Sequence, residues 1–490
     1  MIDAARIAEL TARERDHFVA ANPLAVAAAA RGNSWFGQVP FHWMLDWPSP
    51  VPLVAASAEG AALTTIDGQT LNDFCLGDTA SMFGHSPPAL SAAIAGQAAQ
   101  GLSYMLPTRK SDEVSALLAA TFGLPRWQVT TTASEANRAV IRWCRGITGR
   151  RKILLFNGCY HGAVDDAFVD LESSPARGGD SGAAADEGGA RHRALDEAES
   201  PLHRPAAGPP PRAGEDYHAA MRASLIGQVQ DLRGTSVVVE FNDEVALEAA
   251  LAGGDIACVL AEPMMTNVGM VRDAPGFLDR LRALCDRTGT LLVFDETHTI
   301  SSGFGGHSNA HGPMPDIMVI GKAIGGGVPT AVYGFTEVVA ERMAALNSAR
   351  PAGHSGIGTT LSANALAISA MQAMLSQIIT RENYAVMLAG ADRLVAGLAA
   401  VIARHRLGWH VTQVGARVEL LCSPVPPRNG SEAKAGMQPA LEALIHLYLT
   451  NRGNLLAPFH NMMLVSPVTS DKQIDQLVAS VDALALELLE

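Results

Sequence analysis

Hydrophobic residues along the chain are spaced in two ways, and the spacing changes with position. Between about residues 90 and 345, short apolar runs rich in β-branched residues alternate with segments of helical periodicity. Strands that are apolar on both faces are typical of parallel sheets covered by helices on either side. The pattern predicts an α/β fold, with strands at 152–157, 235–241, 256–263, 290–296 and 317–322.

The two ends of the chain follow a different pattern. Helical spacing predicts a first helix at 4–20 and a last helix at 471–489, and a strand pair is predicted around Asp67 and Gly68. A further strand is predicted at 417–422. We therefore divide the chain into three parts: an N-terminal segment at 1–70, a large domain at 71–345 and a small α+β domain at 346–490.

A segment of unusual composition interrupts the large domain. Residues 172–216 are rich in Gly, Ala, Pro and Asp and contain almost no branched or aromatic apolar side chains. Such a segment buries too little apolar surface to offset the entropy lost on ordering. We predict a mobile insertion, and the alternative is a lid over an active site.

Composition narrows the class of protein. With 36 Lys and Arg against 49 Asp and Glu, the net charge is −13. Binding to nucleic acid would need a basic surface, so no nucleic-acid partner is expected. The N-terminus mixes charged with apolar residues, and no uninterrupted apolar run is long enough to span a membrane. We expect a cytoplasmic protein without membrane association.

Lysine is scarce, which makes the position of each one informative. Of the five lysines, only Lys322 lies at the end of a predicted strand and precedes a run of glycines. Partial burial there disfavours the charged amine, and a neutral amine can attack a carbonyl to form a Schiff base. Asp295 ends another predicted strand, where its negative charge can keep a pyridine nitrogen protonated.

Two further segments offer groups for a flat, phosphorylated ligand. In residues 129–150, small hydroxylated residues precede an apolar-periodic helix, so that Ser134 and free backbone N–H groups offer a phosphate site. Tyr160 lies in a glycine-flanked turn after a predicted strand, where its ring can stack on another ring.

Each of these features also has a structural explanation. Lys322 by itself fits a surface lysine before a flexible turn, and Ser134 fits an ordinary helix cap. The lysine segment does not form a P-loop, because Ala323 stands where Ser or Thr would bind magnesium. The combination in this order is more specific than any one part.

That combination resembles a known family. The blocks DGQTLNDF, GHSPPAL, TASEANRAVIR, GCYHG, FND, AEPMMTNVG, VFDE, GKAIGGG and GTTLSANALA occur in the order found in class III pyridoxal-phosphate-dependent aminotransferases of fold type I. The resemblance is nearest to the glutamate-1-semialdehyde aminomutase-like branch. It implies a large domain with a mostly parallel seven-stranded sheet, a small α+β domain, and pyridoxal 5′-phosphate as the cofactor.

The resemblance also implies roles for individual residues. Lys322 forms the Schiff base with the cofactor and then moves a proton between the substrate and cofactor carbons. Asp295 pairs with the pyridine nitrogen, and Tyr160 stacks on the ring. Ala133 and Ser134 hold the phosphate.

Other implied positions lie farther along the chain. Thr360 is expected to reach the phosphate bound by the neighbouring subunit, which implies a homodimer with active sites at its interface. Asn242 and Glu262 match positions that line the site in the family.

The segment after Asp295 departs from the family pattern. An aliphatic residue followed by Gln or Met is usual there, whereas this chain has Thr297 and His298. Thr297 can cover the ring with its methyl group, and His298 can hydrogen-bond the phenolic oxygen of the cofactor or serve as a structural histidine. His298, His307 and His311 match no zinc spacing, so no metal is expected.

The substrate is less well defined by sequence. Trp35, Trp43, Arg109 and His460 are candidates for substrate contacts, and the aromatic N-terminal segment favours a bulky or aromatic amino donor or acceptor. We predict an aminotransferase that moves an amino group between an amine or amino acid and a carbonyl acceptor. The alternatives are an aminomutase or epimerase, which uses the same residues, and a non-catalytic binding protein of the same fold.

Overall fold

The structure is a computed structural model that describes residues 2–171, 219–221 and 232–490. The whole of the predicted insertion at 172–216 therefore lies outside the described residues. The helices within the described ranges are α1 Ala4–Ala21, α2 Pro23–Arg31, α3 Pro88–Ala98, α4 Lys110–Phe122, α5 Ala133–Thr148, α6 Glu244–Ala252, α7 Phe277–Thr288, α8 Gly306–His311, α9 Glu337–Ala349, α10 Ala365–Ala373, α11 Arg381–His405, α12 Gly430–Gly436, α13 Pro439–Asn451 and α14 Asp471–Leu489.

The strands in the same ranges form four sheets. They are β1 Ala55–Glu59, β2 Ala62–Thr65, β3 Thr70–Asp73, β4 Arg126–Thr130, β5 Lys152–Phe156, β6 Val169–Leu171, β7 Ala219–Met221, β8 Ser236–Val239, β9 Ile256–Ala261, β10 Leu291–Asp295, β11 Ile317–Ile320, β12 Ala331–Phe335, β13 His410–Val414, β14 Arg417–Leu421, β15 Asn454–Leu455 and β16 Met462–Leu464.

The central sheet has seven strands in the order β4-β12-β11-β10-β9-β5-β8. Only β12 runs antiparallel to its neighbours, and the other described pairs are parallel. The predicted α/β fold with a mostly parallel seven-stranded sheet is therefore confirmed. The five strands predicted from apolar runs correspond to β5, β8, β9, β10 and β11.

The continuous apolar runs follow from burial on both faces of this sheet. In β10, Leu291 and Val293 belong to the same buried cluster as the apolar face of α5. The alternate residues Leu292 and Phe294 pack instead with α6 and α7. Since neighbouring side chains of a strand point to opposite faces, both sets must be apolar.

Smaller sheets connect the two ends of the chain. Strands β1, β2, β3 and β15 form one four-stranded sheet, in which β15 runs parallel to β3. Strands β13, β14 and β16 form a three-stranded antiparallel sheet that packs against α11. The α+β character of the C-terminal part is confirmed, whereas the boundaries at residues 70 and 345 stay predictions.

One helix of this C-terminal part is long and apolar enough to cross a membrane, by length and composition alone. That helix is α11, and it packs against α14, β13 and β14. Its buried side chains, including Leu394 and Leu398, belong to the core of the C-terminal part. This packing is that of a core helix, and the cytoplasmic location stays a prediction.

The antiparallel strand β12 depends on a close contact that only glycine permits. Gly334 lies opposite Trp127 of β4, and a Cβ atom at Gly334 would lie 2.6 Å from the indole ring. We expect Gly334→Ala to lower the free energy of unfolding by about 1–3 kcal/mol, because the ring must move within a packed sheet. Urea unfolding measures this change.

Gly408 provides the control for that substitution. A Cβ at this position meets no atom within 4 Å, so Gly408→Ala should leave the unfolding midpoint nearly unchanged. Equal effects of the two substitutions would contradict the packing argument.

Candidate active site

Several of the predicted cofactor-binding residues lie at one edge of the central sheet. Glu262 follows β9, Asp295 ends β10, and Lys322 comes two residues after β11. Strand β4 leads into α5 at the same edge, and Tyr160 comes four residues after the end of β5. Carboxyl ends of parallel strands are where open α/β sheets bind ligands. The topology therefore brings together groups that are far apart in sequence.

The amine of Lys322 is held by two side chains. Lys322 opens a 3₁₀ turn and has a φ of +48°. Its Nζ donates a hydrogen bond to Asp78 Oδ2 at 2.6 Å and lies 2.5 Å from His298 Nε2. The left-handed backbone at a non-glycine residue is a strained conformation of the kind found at functional sites.

His298 begins a series of buried polar side chains that are linked by hydrogen bonds. Its Nδ1 lies 2.7 Å from Thr266 Oγ1, and the Thr266 hydroxyl also contacts Glu262 Oε2. Asn267 donates a further hydrogen bond to Glu262 Oε1 at 2.9 Å. Burial and the positive charge of Lys322 lower the pKa of His298, which favours the neutral imidazole.

Asp78 is presented by a loop with unusual backbone geometry. Asp78 and Thr79 have φ values of +47° and +83°, and Asp73 stabilises the loop by accepting hydrogen bonds from the backbone N–H groups of Cys75 and Leu76 at 2.8 Å. Burial opposes ionisation of Asp78, but positive charges, first that of Lys322, hold its pKa well below the usual range.

A buried arginine lies behind Asp78. Arg417 of β14 donates a hydrogen bond to Thr79 Oγ1 at 2.5 Å, and its Nη1 is 4.0 Å from Asp78 Oδ1. Burial lowers the pKa of Arg417, and it raises the pKa of the nearby Glu419 well above the usual range. Arg417 Nε and both Glu419 oxygens have no hydrogen-bond partner in the part of the chain that the structure describes.

Asp295 is also enclosed by polar groups. Its Oδ2 accepts a hydrogen bond from Asn137 at 2.8 Å and lies 3.1 Å from His161 Nδ1. Burial opposes ionisation of Asp295, but the bond and charge of His161 lower its pKa to about 2. Burial likewise disfavours the charged form of His161, yet Cys159 and Asp295 raise the pKa of the imidazole to about 10.

The start of α5 forms a cradle beside these residues. Thr132 caps the helix by accepting a hydrogen bond from the backbone N–H of Glu135 at 3.2 Å, and the Ser134 hydroxyl accepts one from the N–H of Ala163 at 2.9 Å. A Cβ at Gly162 would overlap with the Ser134 hydroxyl. A helix N-terminus of this kind favours a phosphate.

A second glycine, Gly321, lies so close to the start of α5 that a side chain would not fit there. A Cβ at Gly321 would lie 2.9 Å from the Cβ of Ala133, and the N–H of Gly321 donates to Thr297 Oγ1 at 3.2 Å. The cradle, the ionised Asp295 and the amine of Lys322 together fit pyridoxal phosphate, with a site for its phosphate, its ring nitrogen and its aldehyde.

Other predicted residues lie farther from the lysine network or have different contacts. Asn242 donates hydrogen bonds to the carbonyls of Arg272 and Arg428 and so connects two loops. Tyr160 is half-buried, with its ring 6.2 Å from that of Phe168. The family-derived roles of Asn242 and Tyr160 stay predictions.

The candidate substrate residues are spread over several segments. Trp43 packs edge-on against Phe459 at 5.2 Å between ring centroids, and His460 Nε2 lies 2.9 Å from the carbonyl of Asn267. The remaining candidates for substrate or neighbouring-subunit contacts are exposed in this chain: Trp35, Arg109 and Thr360.

Two of the three histidines that raised the question of a metal line a different cavity. His307 and His311 border a space of about 500 Å³, together with Arg272 and Asp273. Burial and His311 lower the pKa of His307 to about 4. Among the described residues, no three His, Cys, Asp or Glu side chains form a group that could hold a metal ion.

Sequence reasoning did not identify five residues of the site. Asn137 and His161 lie inside recognised motifs, and Asn137 is one helical turn after Ala133, so helical spacing alone was a usable signal. Asp78 lies between two recognised blocks. Thr266 lies inside the recognised block AEPMMTNVG, and Arg417 begins the strand predicted at 417–422. Neither pattern indicates the contacts of these side chains, because tertiary packing brings them to the site.

The fold and the site define a pyridoxal-phosphate-dependent enzyme of fold type I. The sequence profile described as aminotransferase class-III matches residues 45–178 and 209–482. The chain belongs to this family, and its cofactor is pyridoxal phosphate.

Individual relatives resemble the chain over most of its length. A glutamate-1-semialdehyde 2,1-aminomutase from Exiguobacterium sibiricum is 30% identical over 443 residues, covering 89% of this chain and 90% of the relative. A solved glutamate-1-semialdehyde-aminomutase variant from Pseudomonas aeruginosa, in complex with PMP, is 42% identical with a TM-score of 0.89, covering 99% of each chain. A β-phenylalanine aminotransferase from Variovorax paradoxus is 25% identical with a TM-score of 0.78, covering 98% of this chain and 97% of that one.

The raised pKa of His161 means that its contribution to the free energy of unfolding should depend on pH. Its stabilising contribution should be complete below the ordinary histidine pKa of about 6.5 and lost as pH rises through about 10. The free energy of unfolding lost in His161→Gln should therefore be larger at pH about 6 than at pH about 10. Urea unfolding of the cofactor-free protein measures both values.

His17→Gln, at an exposed position on α1, is the control for loss of an imidazole at the surface. It should change the free energy of unfolding little at either pH. A His161→Gln effect of equal size at both pH values would show that the charge pair with Asp295 does not contribute as described.

Proposed function

We propose that this protein is an aminomutase that moves an amino group between adjacent carbons of one small amino acid or amino aldehyde. The observation that carries this proposal is the similarity to glutamate-1-semialdehyde aminomutases over nearly the whole chain. This is the alternative considered from sequence, and it now has more support than intermolecular transfer.

Within this proposal, the cofactor stores the amino group and stabilises negative charge on the substrate carbon. Lys322 holds the cofactor and moves protons at that carbon. Asp295, ionised by its contacts with Asn137 and His161, pairs with the ring nitrogen. Ala133 and Ser134 lie where the phosphate fits, at the start of α5.

Asp78 supports an intramolecular reaction on chemical grounds. A cofactor in its amine form would supply one amino group in addition to the one that the substrate already carries. The site would then have to accommodate a second amino group, and as an ammonium group it would need a negatively charged partner. The Asp78 carboxylate lies 2.6 Å from the amine of Lys322 and is about one-third exposed, so it is placed to hold that ammonium group.

The test is conversion of a single substrate. Glutamate 1-semialdehyde with an isotopically labelled amino group is added to the cofactor-loaded protein, with and without a keto acid. We expect the isomer with the amino group on carbon 1, formed without the keto acid and labelled after repeated turnover, because each amino group removed from one substrate molecule would be given to the next. Mass spectrometry follows the label.

The Lys322→Ala variant is the control, and it should form no product while remaining folded. Appearance of the label in the keto acid, with no isomer formed, would overturn the aminomutase proposal in favour of transfer between two molecules. Racemisation of the substrate as the sole product would favour the epimerase alternative.

A second candidate function is transfer to or from a bulky apolar substrate. The aromatic contact between Trp43 and Phe459 and the similarity to a β-phenylalanine aminotransferase favour it. Under this alternative, an arylalkyl amine should convert the bound cofactor to its amine form faster than glutamate 1-semialdehyde does.

We also propose that the protein is a homodimer. Large apolar side chains are exposed near the start of α4 and before α10, in an arrangement typical of an interface. The two segments contact each other through a hydrogen bond from the N–H of Leu366 to the carbonyl of Leu102. The exposed apolar residues are Leu102, Tyr104, Met105, Leu106 and Leu361.

A charge in this surface should weaken the dimer. Met105 is 80% exposed in the single chain, and we expect Met105→Glu to shift the protein toward monomer, because the carboxylate would be buried at the interface. Light scattering across a concentration series measures the shift. Val245→Glu, at an apolar position on α6 that is 66% exposed, is the matched control. A dimer unaffected by Met105→Glu would place the interface elsewhere.

A further inference from the structure

A continuous chain of hydrogen-bonding groups leads away from the amine of Lys322. Lys322 Nζ lies 2.5 Å from His298 Nε2, and His298 Nδ1 lies 2.7 Å from Thr266 Oγ1. The Thr266 hydroxyl in turn contacts the Glu262 carboxylate. His298, Thr266 and Glu262 are each more than nine-tenths buried, so water does not compete strongly for these contacts.

The directions of these hydrogen bonds follow from the donors available. A hydroxyl has one proton, and an ionised carboxylate only accepts. Thr266 therefore donates to Glu262 and must accept from His298 Nδ1–H. In that tautomer, His298 Nε2 carries a lone pair, and it faces the amine of Lys322.

The charged groups around His298 favour a neutral ring that can still accept a proton. Asp78 Oδ2 lies 3.7 Å from Nε2, and Glu262 Oε2 lies 3.8 Å from Nδ1. These two carboxylates compensate the charge that the ring would gain. Burial and the positive charges of Lys322 and Arg417 act in the opposite direction. They disfavour a protonated ring and so lower the pKa of the imidazole.

Asp78 is less suited to accept the same proton. Its pKa is held well below the usual range, so it stabilises the ammonium form of Lys322 by charge. The two neighbours of the amine thus differ in chemistry, since one stabilises the cation and the other offers a lone pair for its proton.

We propose that His298 is a catalytic base that takes a proton from the ammonium group of Lys322, with Thr266 and Glu262 as positioning residues. The N–H bond of Lys322 breaks, a new N–H bond forms at His298 Nε2, and the positive charge moves to the imidazole. The neutral amine is then ready to attack the cofactor aldehyde, and the proton can return when the lysine is released. The proposal depends on the pyridoxal-phosphate site and applies to aminomutase and aminotransferase alike.

The test measures capture of pyridoxal phosphate by the cofactor-free full-length protein as a function of pH. The rate of covalent attachment is followed by the absorbance of the product. We expect His298→Gln, which retains a hydrogen-bonding side chain but cannot take the proton, to slow attachment near neutral pH by roughly 10²-fold. The rate should recover as pH rises, because hydroxide then replaces the imidazole.

Two Thr266 variants test the positioning residues. Thr266→Val removes the hydroxyl at nearly constant volume, so the tautomer of His298 is no longer fixed, and attachment should slow by roughly 10-fold. Thr266→Ser restores the hydroxyl and should restore the pH profile. His307→Gln, which replaces a buried histidine outside this chain of contacts, should leave the rate and the profile unchanged.

Binding of pyridoxamine phosphate separates proton transfer from damage to the site. This amine form of the cofactor cannot react with lysine, so its affinity should be the same in the wild type and in His298→Gln. A parallel loss of pyridoxamine phosphate affinity and attachment rate would overturn the proposal, because His298 would then act by holding the cofactor. A wild-type attachment rate and pH profile in His298→Gln would overturn it as well. Neither readout depends on which substrate the enzyme uses.

Discussion

The amine of Lys322 must lie close to groups that control its proton. This constraint joins parts of the chain that are far apart in sequence. The contact with Asp78 spans 244 residues, and the contact with His298 spans 24. The parallel sheet supplies the frame, because it delivers Lys322 and the segment containing His298 from adjacent strands. The strained backbone at Lys322 and Asp78 is consistent with a site whose geometry is imposed by the surrounding fold.

The C-terminal part of the chain completes this site from outside the central sheet. Arg417 of β14 reaches Thr79 across 338 residues of sequence. Its position behind Asp78 links the three-stranded sheet to the loop that holds the lysine. A buried arginine is costly to desolvate, and Arg417 adds, after Lys322, to the positive charge that holds the pKa of Asp78 low. The two parts of the chain are therefore joined by charge as well as by apolar packing.

Much of the fold could be predicted from the sequence, because strands buried on both faces must be continuously apolar. Asp295 and Lys322 were found for the same reason, as charged residues at the ends of such strands. The role of Asp78 could not be predicted, because it depends on left-handed backbone within an irregular loop. Arg417 belongs to a strand whose pattern was recognised, but nothing local indicates that its side chain faces a lysine site. His298 was recognised as a departure from the family, whereas its contact with Lys322 required the structure.

The central claim is that Lys322, among the five lysines of the chain, is the amine prepared for covalent chemistry. The most direct measurement is reduction of the pyridoxal-phosphate-loaded protein with borohydride, followed by peptide mass spectrometry. The account predicts that the cofactor is fixed to Lys322 in essentially every labelled molecule. Labelling of another lysine with Lys322 unmodified, or no labelled lysine at all, would contradict it.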